Sequence, residues 1–190
     1  IYVHADVKAD FVAACTKVLN DVYSAQPQQS EHLARIVNER HTQRVKGLLD
    51  DAVAKGARVL AGGHSDAADC FISPTLIDGV SADSTIMKEE IFGPILPIFE
   101  YRDLDEVIAR INADQKPLAL YVWAKDEAVI QRVMQNTTSG GACINHCVVQ
   151  FLHGNLPFGG VNNSGMGSAH GHFGFKTFSH ERAVVRTRIM

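Results

Sequence analysis

Apolar residues recur along the chain at spacings typical of helices in some stretches and of strands in others. The i, i+3, i+4 spacing indicates an amphipathic helix. It predicts a first helix on the stripe Val7, Phe11, Cys15, Val18 and Val22. It predicts a second, clearer helix on Val45, Leu48, Leu49, Ala52 and Val53, with Gly56 at its end.

Short apolar runs between polar turns predict strands. These runs are residues 1–3, 57–63, 75–77, 95–99, 118–124 and 140–145. Residues 118–124 are apolar on both faces, which is typical of a central parallel strand. Helices are predicted at 104–111 and at 127–136, the latter with a buried side made of Ala128, Val129, Val133 and Met134. Strands that alternate with helices predict an α/β fold with a mostly parallel sheet and flanking helices.

The last part of the chain loses this periodicity. Glycine, asparagine and histidine dominate residues 151–174, which predicts a long loop, and loops of that length tend to be functional or disordered. The segment "RAVVRTR", residues 182–188, predicts a lone strand in the tail.

Composition excludes several classes of function. The formal net charge of the 190 residues is -3 with both signs interspersed, so neither nucleic acid nor a membrane surface is expected as a partner. No apolar stretch approaches the roughly 20 residues that span a bilayer. The four cysteines show no CxxC pair and no zinc spacing, which favours a reducing, cytoplasmic setting. Because the chain opens with "IYVHA" and not with methionine, we expect it to be part of a longer protein.

Most chemically suggestive motifs have an ordinary structural alternative. The loop "NLPFGGVNNSGMG" could cradle a phosphate, but it matches neither known glycine-rich phosphate motif, so a tight surface loop is preferred. The "HGH" at 170–172 has no third ligand of defined spacing, so no metal is expected. Cys147 follows His146, yet neighbours on a strand point to opposite faces, and none of the cysteines is a convincing nucleophile.

The stretch "MKEEIFGPILPIF" is a better candidate for a binding site. Lys88 is expected to neutralise one of its two adjacent carboxylates, which leaves Glu90 free to accept hydrogen bonds from the paired hydroxyls of a ribose. On an extended backbone Phe92 would share the side of Glu90 and pack against a flat ring. Local chemistry alone favours the alternative of a solvated charged face.

Five motifs in one order resemble the aldehyde dehydrogenase superfamily, in particular its class 3 type. They are "KEEIFGP", "KPLALYVWA", "GGACIN", "LPFGGVNNSGMG" and "FKTFSHE". The segment "INHCVVQFLHGNLPFGGVNNSG" is further similar to bacterial coniferyl aldehyde dehydrogenases.

The resemblance implies NAD- or NADP-dependent oxidation of a small-molecule aldehyde to the carboxylic acid, through a cysteine thiolate and a water activated by a glutamate. Glu90 then matches the glutamate that binds the nicotinamide ribose, and Phe92 matches the aromatic residue beside it. Phe158 matches the phenylalanine of "PFGG" that lines the substrate pocket. An apolar mouth suited to an aromatic or medium-chain aldehyde, with coniferyl aldehyde as a candidate, is expected from Val148, Val149, Phe151 and Leu152.

The chain also departs from the family pattern. The "GQxC" motif of the nucleophile, the general-base glutamate and the Rossmann-like cofactor domain have no counterpart here, so no catalytic residue is assigned and the chain is expected to be inactive alone. Asn162 stands where the family commonly has glycine, and asparagine tolerates a positive φ. The resemblance divides the chain into a catalytic domain, 1–178, and a tail strand, 179–190, that supports a homodimer. The alternative is a non-catalytic scaffold or dimerisation module.

Overall fold

The computed structural model describes residues 1–188, whose helices and strands alternate as in an α/β protein. The chain divides into two compact units, with the boundary after Arg102. The predicted α/β architecture with mostly parallel strand pairing is confirmed.

The first unit carries a four-stranded sheet. Its elements are β1 (Tyr2–His4), α1 (Lys8–Tyr23), α2 (Glu39–Ala54), β2 (Arg58–Ala61), β3 (Ser65–Asp66), β4 (Phe71–Ile72), β5 (Thr75–Asp78) and β6 (Ile95–Tyr101). The strand order is β1-β6-β5-β2, in which β1 and β5 run parallel to β6 and β2 runs antiparallel to β5. Strands β3 and β4 form a separate antiparallel pair.

Helix α2 forms where the sequence predicts it. The Asn38 side chain caps its start by accepting a hydrogen bond from the His41 N–H, and Gly56 follows its end with φ 100°. The buried face is Thr42, Val45, Leu48, Leu49 and Ala52. Val53, the last residue of the predicted stripe, is exposed, so the buried face ends one residue earlier.

The predicted stripe of α1 is partly wrong. Val18 and Val22 are exposed, and Val7 lies in the short 3-10 turn that precedes the helix. The residues that pack on the core beside β1, β5 and β6 are Phe11, Val12, Cys15 and Leu19. Phe11, Cys15 and Leu19 are four residues apart and therefore lie on the face of the helix that contacts the core, whereas Val18 lies three residues after Cys15 and points away from it.

The second unit contains a parallel two-stranded ladder. Its elements are α3 (Leu104–Ala113), β7 (Ala119–Val122), α4 (Glu127–Asn136), β8 (Gly141–Ile144), α5 (Val149–Leu152) and α6 (Gly171–Thr177). Asp126 caps the start of helix α4, because its carboxylate accepts a hydrogen bond of 2.8 Å from the Ala128 N–H. Ile130 and Val133 are its buried residues, while the predicted Ala128 is exposed, because capping places that residue in the solvated first turn.

Strand β7 is less buried than its apolar sequence predicts. Val122 is buried, but Leu118 and Trp123 on either side of the strand are exposed. The ladder continues past β8 through Asn145, whose side-chain amide both donates to and accepts from the Ala124 backbone at 3.0 Å. An asparagine side chain thus extends the pairing by one more step.

The long loop predicted at 151–174 includes the end of α5, a 3-10 turn at Asn162–Ser164 and the start of α6. The Thr177 hydroxyl holds α6 on this segment by donating to the Ser168 carbonyl at 2.8 Å. The predicted tail strand is not formed in residues 179–188, which are exposed, and the last two residues of that prediction lie outside the described part of the chain. The pairing of the tail with a partner stays a prediction. None of the helices within 1–188 combines the length and apolarity that a bilayer span requires.

Candidate functional site

The loop that carries the two adjacent glutamates is held by an arginine from α2. Arg44 Nη1 lies 3.4 Å from Glu89 Oε2 and donates to the Glu90 carbonyl at 3.2 Å. Arg44 Nη2 donates to the Ile91 carbonyl at 2.6 Å. Arg44, not the neighbouring Lys88, therefore pairs with one of the two acids.

This arrangement separates the roles of the two carboxylates. Glu89 is used in the ion pair, whereas the Glu90 carboxylate is exposed and forms no hydrogen bond or ion pair within residues 1–188. Because Arg44 holds the Glu90 backbone and not its side chain, the attachment point of the side chain is fixed while the carboxylate stays free to accept hydrogen bonds. The expectation that one acid is neutralised and the other left free agrees with this geometry.

Phe92 does not lie on the extended backbone that its sequence context predicts. Its φ is 45°, in the left-handed region, and its side chain is 77% exposed. A bulky residue with this conformation is strained, and such strain tends to occur at functional sites. The next residue, Gly93, packs on α2 so closely that a Cβ there would lie 2.6 Å from Val45 Cγ1. The chain then enters β6 after the Pro94 carbonyl accepts from the Thr75 N–H at 2.8 Å.

A second contact with α2 fixes the residues just before the loop. Asp51 accepts a hydrogen bond of 2.7 Å from the Thr85 N–H and pairs with Lys55 at 2.9 Å. Two hydrogen bonds lower the pKa of the Asp51 carboxyl below its ordinary value: the one from Thr85 has the larger effect and the one from Lys55 the smaller. Helix α2 therefore anchors the loop on both sides of the acidic pair.

The predicted substrate-site residues fall in the second unit, and two of them contact each other. The Phe151 and Phe158 rings meet edge to face with centroids 5.0 Å apart. His170 stacks on Phe158 at 5.6 Å, and backbone hydrogen bonds pair Phe158 with Ala169. The His170 Nδ1 is buried without a hydrogen-bond partner in the described part of the chain, so this aromatic cluster includes one unpaired polar atom.

The remaining apolar residues of the predicted mouth lie on or beside α5. Val148 precedes the helix with φ 68°, and Val149 begins it. Both valines are partly exposed, and Leu152 is 74% exposed. The structure therefore presents an apolar surface along α5 that continues to Phe158 through Phe151.

The glycine-rich loop has a structural explanation. A Cβ at Gly140, Gly159 or Gly160 would overlap backbone atoms of a neighbouring segment, so these glycines allow three stretches of chain to touch. Asn162 has φ 53°, which agrees with its expected tolerance of a positive φ. The close packing supports the tight-loop interpretation over a phosphate cradle.

The cysteines lack the geometry of an activated nucleophile. His146 Nδ1 bonds to the backbone of Cys147, 2.9 Å from its nitrogen, and not to its thiol. Cys143 is buried, and burial raises the pKa of the Cys15 thiol. Within residues 1–188, no group of three or more His, Cys, Asp and Glu side chains could hold a metal ion.

Two residues with structural roles at these sites were missed by the sequence analysis. Arg44 lies on the polar face of α2, and no local signal separates it from the other charged residues there. Gln150 is buried although it is polar, and its position inside the apolar run "VVQFL" is a signal that could have identified it.

Comparisons with known proteins agree over nearly the whole chain. The model of the aldehyde dehydrogenase family matches residues 1–184. The chain is 46% identical over 185 residues to the 4,4'-diaponeurosporen-aldehyde dehydrogenase of Staphylococcus aureus. That match covers 97% of this chain and 40% of the relative. It is 44% identical over 179 residues to the dimeric NADP-preferring aldehyde dehydrogenase of Rattus norvegicus, covering 94% of this chain and 38% of that protein.

Among solved structures, the substrate-bound state of Staphylococcus aureus AldH matches with a TM-score of 0.92 and 45% identity. The match covers 100% of this chain and 42% of that one. The chain thus spans about two fifths of the length of the relatives that it matches.

Proposed function

The chain belongs to the aldehyde dehydrogenase family, and we propose from this premise that the protein containing it oxidises an aldehyde to a carboxylic acid with NAD or NADP. Members of the family use NAD(P), and the rat relative is named as NADP-preferring. When bound, the nicotinamide supplies the hydride acceptor. The residues of this chain bind the cofactor and shape the aldehyde site.

Glu90 and Phe92 are proposed to hold the cofactor. The observation that carries this proposal is the Arg44 contact, which pairs Glu89 and holds the Glu90 backbone while the Glu90 carboxylate stays free. A free carboxylate can accept two hydrogen bonds from the vicinal hydroxyls of a ribose. The exposed Phe92 ring lies on the same loop and can pack against a planar ring.

Phe158, Phe151, Val148 and Val149 are proposed to line the aldehyde site. Their surface is apolar and aromatic, which favours an aromatic or medium-chain aldehyde such as coniferyl aldehyde over a short polar one. The Staphylococcus aureus relative is named as a 4,4'-diaponeurosporen-aldehyde dehydrogenase, which supports an aldehyde as the substrate.

The matched pair Glu90→Gln and Glu89→Gln tests the cofactor role in the full-length protein that contains this chain. Loss of charge-assisted hydrogen bonds to the ribose should raise the KM for NAD(P) by about 10- to 100-fold in Glu90→Gln. Glu89→Gln removes only a half-exposed ion pair and should change KM by less than about threefold. An unchanged KM and kcat in Glu90→Gln would show the assignment to be wrong.

We also propose that the nucleophile and the general base lie outside these 190 residues. The geometry of Cys147 and the burial of Cys143 support this proposal. The isolated chain should form no NADH or NADPH with benzaldehyde or coniferyl aldehyde. Turnover that survives purification and disappears in Cys147→Ser would identify Cys147 as the nucleophile.

A homodimer is the proposed assembly of the parent protein, and its proposed compartment is the cytoplasm. The exposed tail residues Val184 and Val185 and the name of the dimeric rat relative support the dimer. The four free thiols support a reducing compartment. Light scattering on the full-length protein should give twice the monomer mass, and removal of residues 179–190 should reduce it to the monomer mass. Dimers without any aldehyde oxidation would instead favour the scaffold alternative.

A further inference from the structure

A buried glutamine connects α5 to the two parallel strands of the second unit. Tyr121 of β7 and Cys143 of β8 lie opposite each other in the ladder, so their side chains share one face. The Gln150 side chain reaches both of them. Its Nε2 lies 3.2 Å from the Tyr121 hydroxyl, and its Oε1 lies 2.7 Å from the Cys143 thiol.

Helix α5 needs such an anchor because it has little stability of its own. It contains four residues, and a single turn of helix is not stable in water without tertiary contacts. The preceding residue, Val148, has φ 68°, a conformation that is costly for a β-branched side chain. Strain of this kind persists only where surrounding contacts hold the backbone, and Gln150 supplies two of those contacts.

The residues on either side of Gln150 are two of those proposed to line the aldehyde site. Val149 and Phe151 are partly exposed, whereas Gln150 is buried, so the inward side chain determines where the outward ones lie. Phe151 in turn contacts Phe158. A shift of α5 would therefore open or close the apolar surface beside Phe158.

We propose that Gln150 is a positioning residue that sets the preference of the enzyme for bulky apolar aldehydes by anchoring α5 to Tyr121 and Cys143. The inference rests on the proposed aldehyde oxidation and deepens it, because it concerns which aldehyde is accepted. Gln150 does not touch the reacting atoms. It acts through Val149 and Phe151.

The chemistry of the amide explains why glutamine suits this position. The Cys143 thiol donates to the amide oxygen, and the amide NH2 donates to the Tyr121 oxygen, so the position needs an acceptor and a donor on one side chain. Methionine has nearly the same volume and offers neither strong group. Cys143→Ser keeps a hydrogen-bond donor, and Cys143→Ala does not.

The test compares Gln150→Met, Cys143→Ala and Cys143→Ser in the full-length protein that contains this chain. One arm measures kcat/KM for benzaldehyde and for propanal, together with the KM for NAD(P). Gln150→Met should lower the benzaldehyde to propanal ratio by about tenfold, with the cofactor KM within about twofold of wild type. Cys143→Ala should shift the ratio in the same direction, and Cys143→Ser should keep it close to the wild-type value.

A second arm measures hydrogen exchange of the α5 amides, with the β8 amides as an internal control. Gln150→Met should speed α5 exchange by about tenfold and leave β8 unchanged. Tyr121→Phe removes a single hydroxyl with almost no change in volume, and it replaces Gln150→Met if that variant does not fold.

Each outcome decides the proposal. Unchanged α5 exchange in Gln150→Met would overturn the anchoring role. Faster α5 exchange with an unaltered benzaldehyde to propanal ratio would overturn the specificity role. An equal loss of kcat/KM for both aldehydes would overturn it as well. If the wild-type protein oxidises neither aldehyde, the proposed function fails and the specificity role fails with it, and the exchange arm still decides the anchor.

Discussion

Replacing Arg44 by methionine should weaken cofactor binding without unfolding the protein. Arg44 donates to the carbonyls of Glu90 and Ile91 at 3.2 and 2.6 Å, and it pairs with Glu89 at 3.4 Å. Methionine keeps an unbranched apolar stem and removes all of these polar contacts. The loop would then remain attached to α2 through the Asp51 contact before it and through the packing of Gly93 on Val45 after it.

The size of the effect follows from these contacts. Two charge-assisted hydrogen bonds to backbone carbonyls, made by a side chain that is 31% exposed, contribute about 2 kcal/mol together. The half-exposed Glu89 pair adds less than about 1 kcal/mol. If the ordered loop is the form that binds the cofactor, a loss of about 2 kcal/mol raises the KM for NAD(P) by up to about 30-fold.

Steady-state kinetics with NAD(P) varied at saturating aldehyde measure this effect, and thermal unfolding serves as the control for global damage. Arg44→Lys keeps the charge but not the two-pronged donor, so its KM should lie between those of wild type and Arg44→Met. Glu89→Gln should change the KM by less than about threefold. The reasoning is refuted if Glu89→Gln matches Arg44→Met, or if Arg44→Met lowers the melting temperature and leaves the KM unchanged.

Two further predictions concern stability. Burial alone would raise the pKa of Asp78, but hydrogen bonds and charge from Lys8 and Arg58 outweigh it and hold the pKa below its ordinary value of 3.8. Because the folded pKa is depressed, this stabilisation is complete above about pH 4 and is lost as the pH falls through the folded value. Asp78→Asn should therefore lower the free energy of unfolding by about 2 kcal/mol at pH 7, and by less at pH 3, in denaturant titrations. An equal cost at both pH values would contradict the charge-based explanation. A Cβ on Gly160 would overlap the Ser164 backbone, so Gly160→Ala should destabilise the protein by about 1 to 3 kcal/mol, while Gly154→Ala, where a Cβ meets open space, should change stability by less than about 0.5 kcal/mol.

Local periodicity was sufficient to predict most of the regular elements. The helical spacing from Val45 to Ala52 and the glycine at position 56 are properties of consecutive residues, so they could be identified before the fold was known. The same is true of the apolar runs that became β5 and β6. Helix α6 could not be predicted in this way, because two glycines within it suppress the helical signal and its hold on the loop comes from the Thr177 hydroxyl.

The loop with the free glutamate could be located from its motif, but its chemistry was decided by tertiary contacts. The adjacent acids and Lys88 predicted a local neutralisation, whereas the partner of Glu89 is Arg44, 45 residues earlier in the chain. The left-handed Phe92 likewise lies beside a tertiary contact, the packing of Gly93 on Val45. Neither contact can be predicted from the spacing of neighbouring residues.

The sequence by itself determined the α/β class, the positions of the main helices and strands, and the motifs that identify the family, because these depend on side-chain periodicity and on short stretches of chain. Only the tertiary structure decided which side of α1 is buried, which acid is free, and that Gln150 anchors α5. The physical reason is that these features depend on pairing between residues far apart in sequence, such as Gln150 with Tyr121, 29 positions earlier. Hydrogen-bond partners of that kind are chosen when the chain packs, and no local pattern encodes them.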